Sequence, residues 1–257
     1  MRRFKVVVVE GIIGVGKSHF SDELALALTS IGGGHTLTMR EADQEAAPGS
    51  FHNEFYAEMQ EEDETKWKNW ATLFQFDQLS RRYSQHKLAQ GWAKSGRGCA
   101  ILDRSLYGDT CFANMLNNPD EKGRKRIPDS LYDLYERIYG DMTEAVLLPH
   151  VMVRLTIRPE HSIERIRRRG SQHETRASEV ETVSVAYQRA LDREIGRLAQ
   201  VLKKLDVLVL DVPWDADRDT VEMRSRVIES IADRIIEHEP TELFLNSRFS
   251  DRWRRSI

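Results

Sequence analysis

The sequence has little of what marks several large protein classes. Its two cysteines, Cys99 and Cys111, are too few for a disulfide framework and suit a reducing compartment. No apolar run approaches a bilayer span, since Val6-Val7-Val8-Val9 is far too short. Neither sign of charge dominates: the formal net charge is -3, which removes the broad electrostatic argument for nucleic-acid binding. His19, His35, His52 and His86 are scattered without metal-ligand spacing, so no zinc site is expected. Met1-Arg2-Arg3-Phe4 runs directly into the valine segment, leaving no stretch with the form of a cleaved leader. There is no internal repeat and no low-complexity linker. These exclusions leave the expectation of a soluble cytoplasmic protein that engages neither membrane nor nucleic acid.

What is present is regular. At about 150 residues per domain, 257 residues allow one large domain, here read as 1–257. Lys5 to Val9, Leu37 to Met39, Cys99 to Leu102, Val151 to Thr156 and Val207 to Leu210 have the apolar, β-branched character of buried strands. Helix-period patterns lie near 17–30, 66–94, 105–117, 129–147, 160–169, 177–205 and 217–238. This alternation predicts an α/β fold: a three-layer sandwich with a five-stranded parallel sheet and helices on both faces. Ligands of such folds gather at the carboxyl ends of the strands, which makes the residues after each strand the informative ones.

After the first strand stands Gly11-Ile12-Ile13-Gly14-Val15-Gly16-Lys17-Ser18, a full G-x-x-x-x-G-K-S phosphate loop. Gly11, Gly14 and Gly16 let backbone N–H groups close on phosphate oxygens at a helix N-terminus. Lys17 would neutralise the outer phosphates of ATP, and Ser18 would reach Mg²⁺. Arg40-Glu41 follows the second strand; Glu41 is either a proton acceptor in the crevice or a surface glutamate opening a loop. Asp103-Arg104-Ser105 follows the third, where Asp103 can hold the metal or cap the next helix, and Arg104 can stabilise charge on a transferred phosphoryl group. Arg165 and Arg169, one turn apart near Gly170, read as a mobile cationic lid over ATP or as a helix end favoured by its dipole. Asp211, with Pro213 and Trp214, follows the fifth strand as a candidate wall for the ATP base. Lys122 to Arg126 reads as a solvated basic loop. Gln75 and Arg82 are seven apart on one face of a long helix, either packing residues of a core or interface face or an amide and a guanidinium that address a nucleobase.

Together these residues resemble the deoxyribonucleoside kinase family, with Leu102-Asp103-Arg104-Ser105-Leu106-Tyr107-Gly108-Asp109 similar to that family's D/E-R-S-x-Y-x-D segment. Phe74-Gln75 with Arg82 is similar to its substrate-side phenylalanine–glutamine and arginine. The resemblance implies that a deoxyribonucleoside is phosphorylated at its 5′-hydroxyl by ATP with Mg²⁺. It implies Glu41 as general base, Arg104 at the reacting end of the sugar, and Gln75 on the base. Arg82 with Asp109 would set base preference, Tyr56 with Glu174 would hold the 3′-hydroxyl, and Arg165 and Arg169 would belong to a lid at about 165–178. An Arg–Asp pair suits purines or deoxycytidine over thymidine. Family members dimerise through two apolar helices, so 66–94 and 129–147 are expected to pair in a homodimer. The sequence departs from the family at Ala42, Ser171 and Gln78, where proline, a lid arginine and a smaller residue are usual. A monophosphate kinase of the thymidylate kinase type shares much of the pattern, but Gln75, Asp109 and the Tyr56 segment favour a nucleoside acceptor. A non-enzymatic nucleotide switch would need a guanine-reading N-K-x-D element, which is absent. The tail, 240–257, has no assigned role.

Overall fold

The computed structural model describes residues 4–41, 51–172 and 177–239. Five parallel strands form one sheet in the order β2-β3-β1-β4-β5. They are β1 (Val6–Glu10), β2 (Leu37–Met39), β3 (Ala100–Asp103), β4 (Val151–Thr156) and β5 (Leu208–Pro213). Every residue of β1 is buried, as a central strand covered on both faces requires, and its valine run supplies the β-branched packing. Helices α1 (Lys17–Gly32) and α9 (Val221–Glu237) pack together on one side. On the other, α3 (Trp70–Lys94), α4 (Leu106–Asn117) and α8 (Val185–Lys203) form a continuous layer. The remaining helices are α2 (His52–Gln60), α5 (Asp129–Glu144), α6 (Pro159–Gln172) and α7 (Ala177–Thr182).

The register aligns Met39 with Leu102 and Val9 with Asp103, so β2, β3 and β1 release their chains side by side. That is why residues more than ninety positions apart can meet at one end of the sheet. The following turns are built by local chemistry. Gly14 and Gly16 have φ of 78° and 97°, left-handed values that a Cβ disfavours. Ser105 caps α4, its Oγ accepting from Gly108 N at 3.0 Å.

Three expectations change. The segment 177–205 is not one helix: it breaks at Val183, and Ser184 caps α8 by accepting from Tyr187 N at 3.1 Å. Helix α2 was not expected; it is stopped by Arg126, whose guanidinium donates to the carbonyls of Glu58, Met59 and Glu61 and stacks on Trp67. Arg126 is therefore buried inside the loop read as solvated. No helix among the described residues is long and apolar enough to cross a membrane.

Candidate active site

A cavity of about 660 Å³ opens where β1, β2 and β3 end. Its floor is the phosphate loop, with Gly14, Gly16, Lys17 and Ser18 in the wall. The loop's carbonyls are held from behind. Gln188 of α8 grips Ile13 twice, donating to its carbonyl at 2.7 Å and accepting from its N–H at 3.2 Å. Arg165 donates to Val15 O at 2.8 Å. With the carbonyls bound outward, the succeeding N–H groups are directed to the open side, as phosphate binding requires. Burial, and Arg104 beside it, lower the pKa of Lys17 to about 8 while Asp103 and Glu41 oppose the shift.

Next to Lys17, Ser18 Oγ donates to Asp103 Oδ2 at 2.5 Å. The other oxygen, Asp103 Oδ1, is buried without a hydrogen-bond partner among the described residues. A serine hydroxyl and a carboxylate with a spare oxygen suit a hard divalent cation that takes its other ligands from phosphates and water.

Glu41 reaches back from the end of β2 between two guanidiniums. It accepts from Arg82 at 2.8 Å and from Arg104 Nε at 3.0 Å, and its side chain remains 37% exposed to the cavity. Burial pushes its pKa up, but Arg104, Arg82 and Lys17 outweigh this and hold it at about 2. Arg104 itself has φ 68°, a left-handed backbone unusual for a long side chain. This bend sends its guanidinium over the Phe112 ring, 4.7 Å from the centroid, and onto Gly11 O at 3.2 Å. Strain kept at such a position is characteristic of functional sites.

The far wall comes from α3. Gln75, Gln78 and Arg82, spaced three and four apart, are all nearly inaccessible and all line the cavity. Asp109 stands behind them, fully buried. It accepts from Gln75 Nε2 at 2.8 Å, Arg82 at 2.5 Å and Tyr135 Oη at 2.6 Å. Tyr56 and Phe55 of α2 also line the cavity, with Phe55 stacked on Phe74 of α3, centroids 4.7 Å apart. An aromatic slot facing an amide–guanidinium wall, with the phosphate loop at one end, can hold a nucleobase, a sugar and a polyphosphate in sequence.

The deoxynucleoside kinase family model matches residues 7–237. The chain belongs to the deoxynucleoside kinase family. A deoxyadenosine kinase of Dictyostelium discoideum is 26% identical over 199 residues, covering 77% of this chain and 70% of that protein. In fold the chain is similar to the deoxyadenosine kinase of M. mycoides solved with bound dATP. The TM-score is 0.61 at 19% identity, over 88% of this chain and 98% of that one.

Not every residue expected in the site of this kinase lies in the cavity wall. Asp109 touches Gln75 and Arg82 rather than lining the cavity, and Gly11, at the start of the loop, packs against Leu155. Asp211 does not line this cavity: it is the cross-strand neighbour of Arg154 and pairs with it at 3.3 Å. Trp214 is likewise buried edge-on against Phe20 beneath Gly16 instead of forming an open wall. Arg165 does not line the cavity wall either: it stands against the phosphate loop, donating to Val15 O and pairing with Asp215 and Asp217. Arg169 does face the cavity, paired with Glu179 at 2.6 Å. Glu174 and Ala42 lie outside the described residues.

The sequence reading missed Glu179, Phe112, Tyr187 and Gln188. Glu179 sits in the cavity wall, and its charge, after burial, is the largest influence raising the Tyr56 pKa. Only the helix break at Val183 brings it there, and a continuous 177–205 helix concealed that.

Proposed function

We propose that this kinase transfers the γ-phosphoryl group of ATP to the 5′-hydroxyl of a purine 2′-deoxynucleoside, deoxyadenosine foremost, giving the monophosphate. The observation that carries the reading is Glu41, ionised and clasped by Arg82 and Arg104 within the cavity that holds Lys17. The name of the Dictyostelium relative supports the choice of base, as does the Gln75–Asp109–Arg82 wall.

In this reading Glu41 orients the 5′-hydroxyl and takes its proton. A carboxylate held near pKa 2 is a weak base in the ground state. In a loose phosphoryl transfer, however, the proton leaves late, after the forming P–O bond has acidified it. Arg104 lies beside Glu41 to stabilise charge on the migrating group, and Lys17 neutralises the outer phosphates. Ser18 and Asp103 are the residues that would hold Mg²⁺, which neutralises charge on the β- and γ-phosphates when bound. Tyr56 with Glu179 presents a phenol and a carboxylate to the sugar 3′-hydroxyl. Arg169 is the lid cation. We read the chain as one kinase domain that forms a homodimer, with Leu73 and Leu88 of α3 and Leu134 of α5 exposed on the expected surface.

The test is a panel of the four deoxynucleosides and their monophosphates with ATP and Mg²⁺. Turnover should require a deoxynucleoside and be highest with a purine. Turnover with monophosphates alone, or a clear thymidine preference, overturns the reading.

A further inference from the structure

Two buried donors in the wall that α3 presents to the cavity lack a hydrogen-bond partner among the described residues, Arg82 Nε and Gln78 Nε2, and only the second belongs to a side chain that makes no hydrogen bond among them. Gln75 has committed its Nε2 to Asp109, donating to the carboxylate at 2.8 Å and to the backbone carbonyl at 3.2 Å. What it offers a ligand is therefore its carbonyl oxygen, an acceptor. The two terminal nitrogens of Arg82 are likewise committed, to Asp109 and Glu41. Gln78 differs. It is 3% exposed and lines the cavity, and its Nε2 has no hydrogen-bond partner among the described residues. Buried amide donors are almost always satisfied, and one left open in a ligand cavity marks where a ligand acceptor belongs.

We propose that Gln78 is a specificity-determining residue that donates from Nε2 to a ring nitrogen of adenine, beside the exocyclic amine that donates to Gln75 Oε1. An acceptor and a free donor one helical turn apart complement a base whose amine is flanked by ring-nitrogen acceptors. Adenine has such a nitrogen on both sides of its amine, N1 and N7. Thymine has no exocyclic amine and would leave the Gln75 oxygen without that donor. This inference rests on the assignment of the cavity to a deoxynucleoside. It explains why a bulky amide occupies a position that could have been filled by a small apolar residue.

The experiment compares 2′-deoxyadenosine with its 1-deaza and 7-deaza analogues, each lacking one ring acceptor. In the unmodified enzyme, kcat/KM should fall by about 10- to 100-fold for one of the two, the loss expected when a buried donor goes unsatisfied. In Gln78→Met, which keeps the volume and removes the donor, deoxyadenosine should drop to the level of that analogue, and the difference between them should vanish. The KM for ATP should be unchanged, which a general loss of structure would not allow. Equal use of all three substrates by the unmodified enzyme overturns the proposal without reference to any variant. So does discrimination that persists in Gln78→Met. Phosphorylation of no deoxynucleoside at all would instead remove the functional assignment, and Gln78's role with it.

Discussion

Replacing Glu41 by Gln preserves the shape of the side chain and an acceptor for Arg104, but removes the charge on which both guanidiniums converge. Turnover should fall by about 10²–10⁴-fold with ATP affinity nearly unchanged. Steady-state kinetics decide it: a normal kcat ends the role. Lys17 gives a pH signature of its own. Its pKa is lowered to about 8, so without ligand it loses its proton as the pH rises through 8, and the KM for ATP should rise there. An ATP affinity that stays flat through the alkaline range would show that the ammonium charge is dispensable. Arg82→Met should narrow discrimination among the four deoxynucleosides. Because it also strands the buried Asp109, a stability loss of about 3–5 kcal/mol is expected, so the ratio of kcat/KM values is the quantity to read. At this scale much was legible. Lys17 and Ser18 close a phosphate-loop motif, and Glu41, Asp103 and Arg104 stand at or just past strand ends, so chain position assigns them to the crevice. Gln188 and Phe112 were not, because no local pattern distinguishes a helix residue that faces a loop from one that faces the core.

Among the elements, α6 and α8 do more than cover the sheet. Through Arg165 and Gln188 they hold the carbonyls of Ile13 and Val15, so the geometry of the phosphate loop depends on helices distant in sequence. Gln188→Leu leaves the Ile13 N–H and carbonyl buried without partners, a loss of about 1–3 kcal/mol. It should raise the KM for ATP about tenfold or more with little effect on the deoxynucleoside KM, the size such a loss has when it falls on one ligand's site. Equal effects on both substrates would mean that Gln188 merely supports the fold. Four of the strands were read within one residue because their apolar runs are short and bounded, and β5 runs three residues past the expected Leu210 to Pro213. The 177–205 helix was over-extended, since its apolar period continues across Val183 and only the Ser184 cap reveals the break. Helix α2 was invisible for a related reason: its stop comes from Arg126, 68 residues beyond Glu58.

For the molecule as a whole, two buried histidines set the acid limit. His150 Nδ1 accepts from Val6 N at 3.0 Å and must be unprotonated to do so. His86 is fully buried against Tyr107 with its Nε2 3.0 Å from Leu147 O. Burial lowers both pKa values from 6.5 to about 4. The unfolded chain therefore binds more protons than the native one between these values. The stability they contribute is full above pH 6.5 and is lost as the pH falls toward 4. Thermal midpoints should drop over that window, and His150→Asn, which keeps an acceptor for Val6 N–H, should flatten the decline. A midpoint independent of acid would refute the linkage. Sedimentation at micromolar concentration should show the homodimer, and a monomer there would remove α3 and α5 as its interface.

The amino-acid order by itself determined the alternation of strands and helices, the phosphate loop and the family, because those depend on spacing within a few residues of one another. Only the folded chain decided that Asp211 pairs with Arg154, that Arg165 stands against the phosphate loop, that Glu179 enters the cavity, and that Gln78 is left with an open donor. Those outcomes depend on which side chains from remote segments take each hydrogen-bonding group first, and that competition is settled in three dimensions.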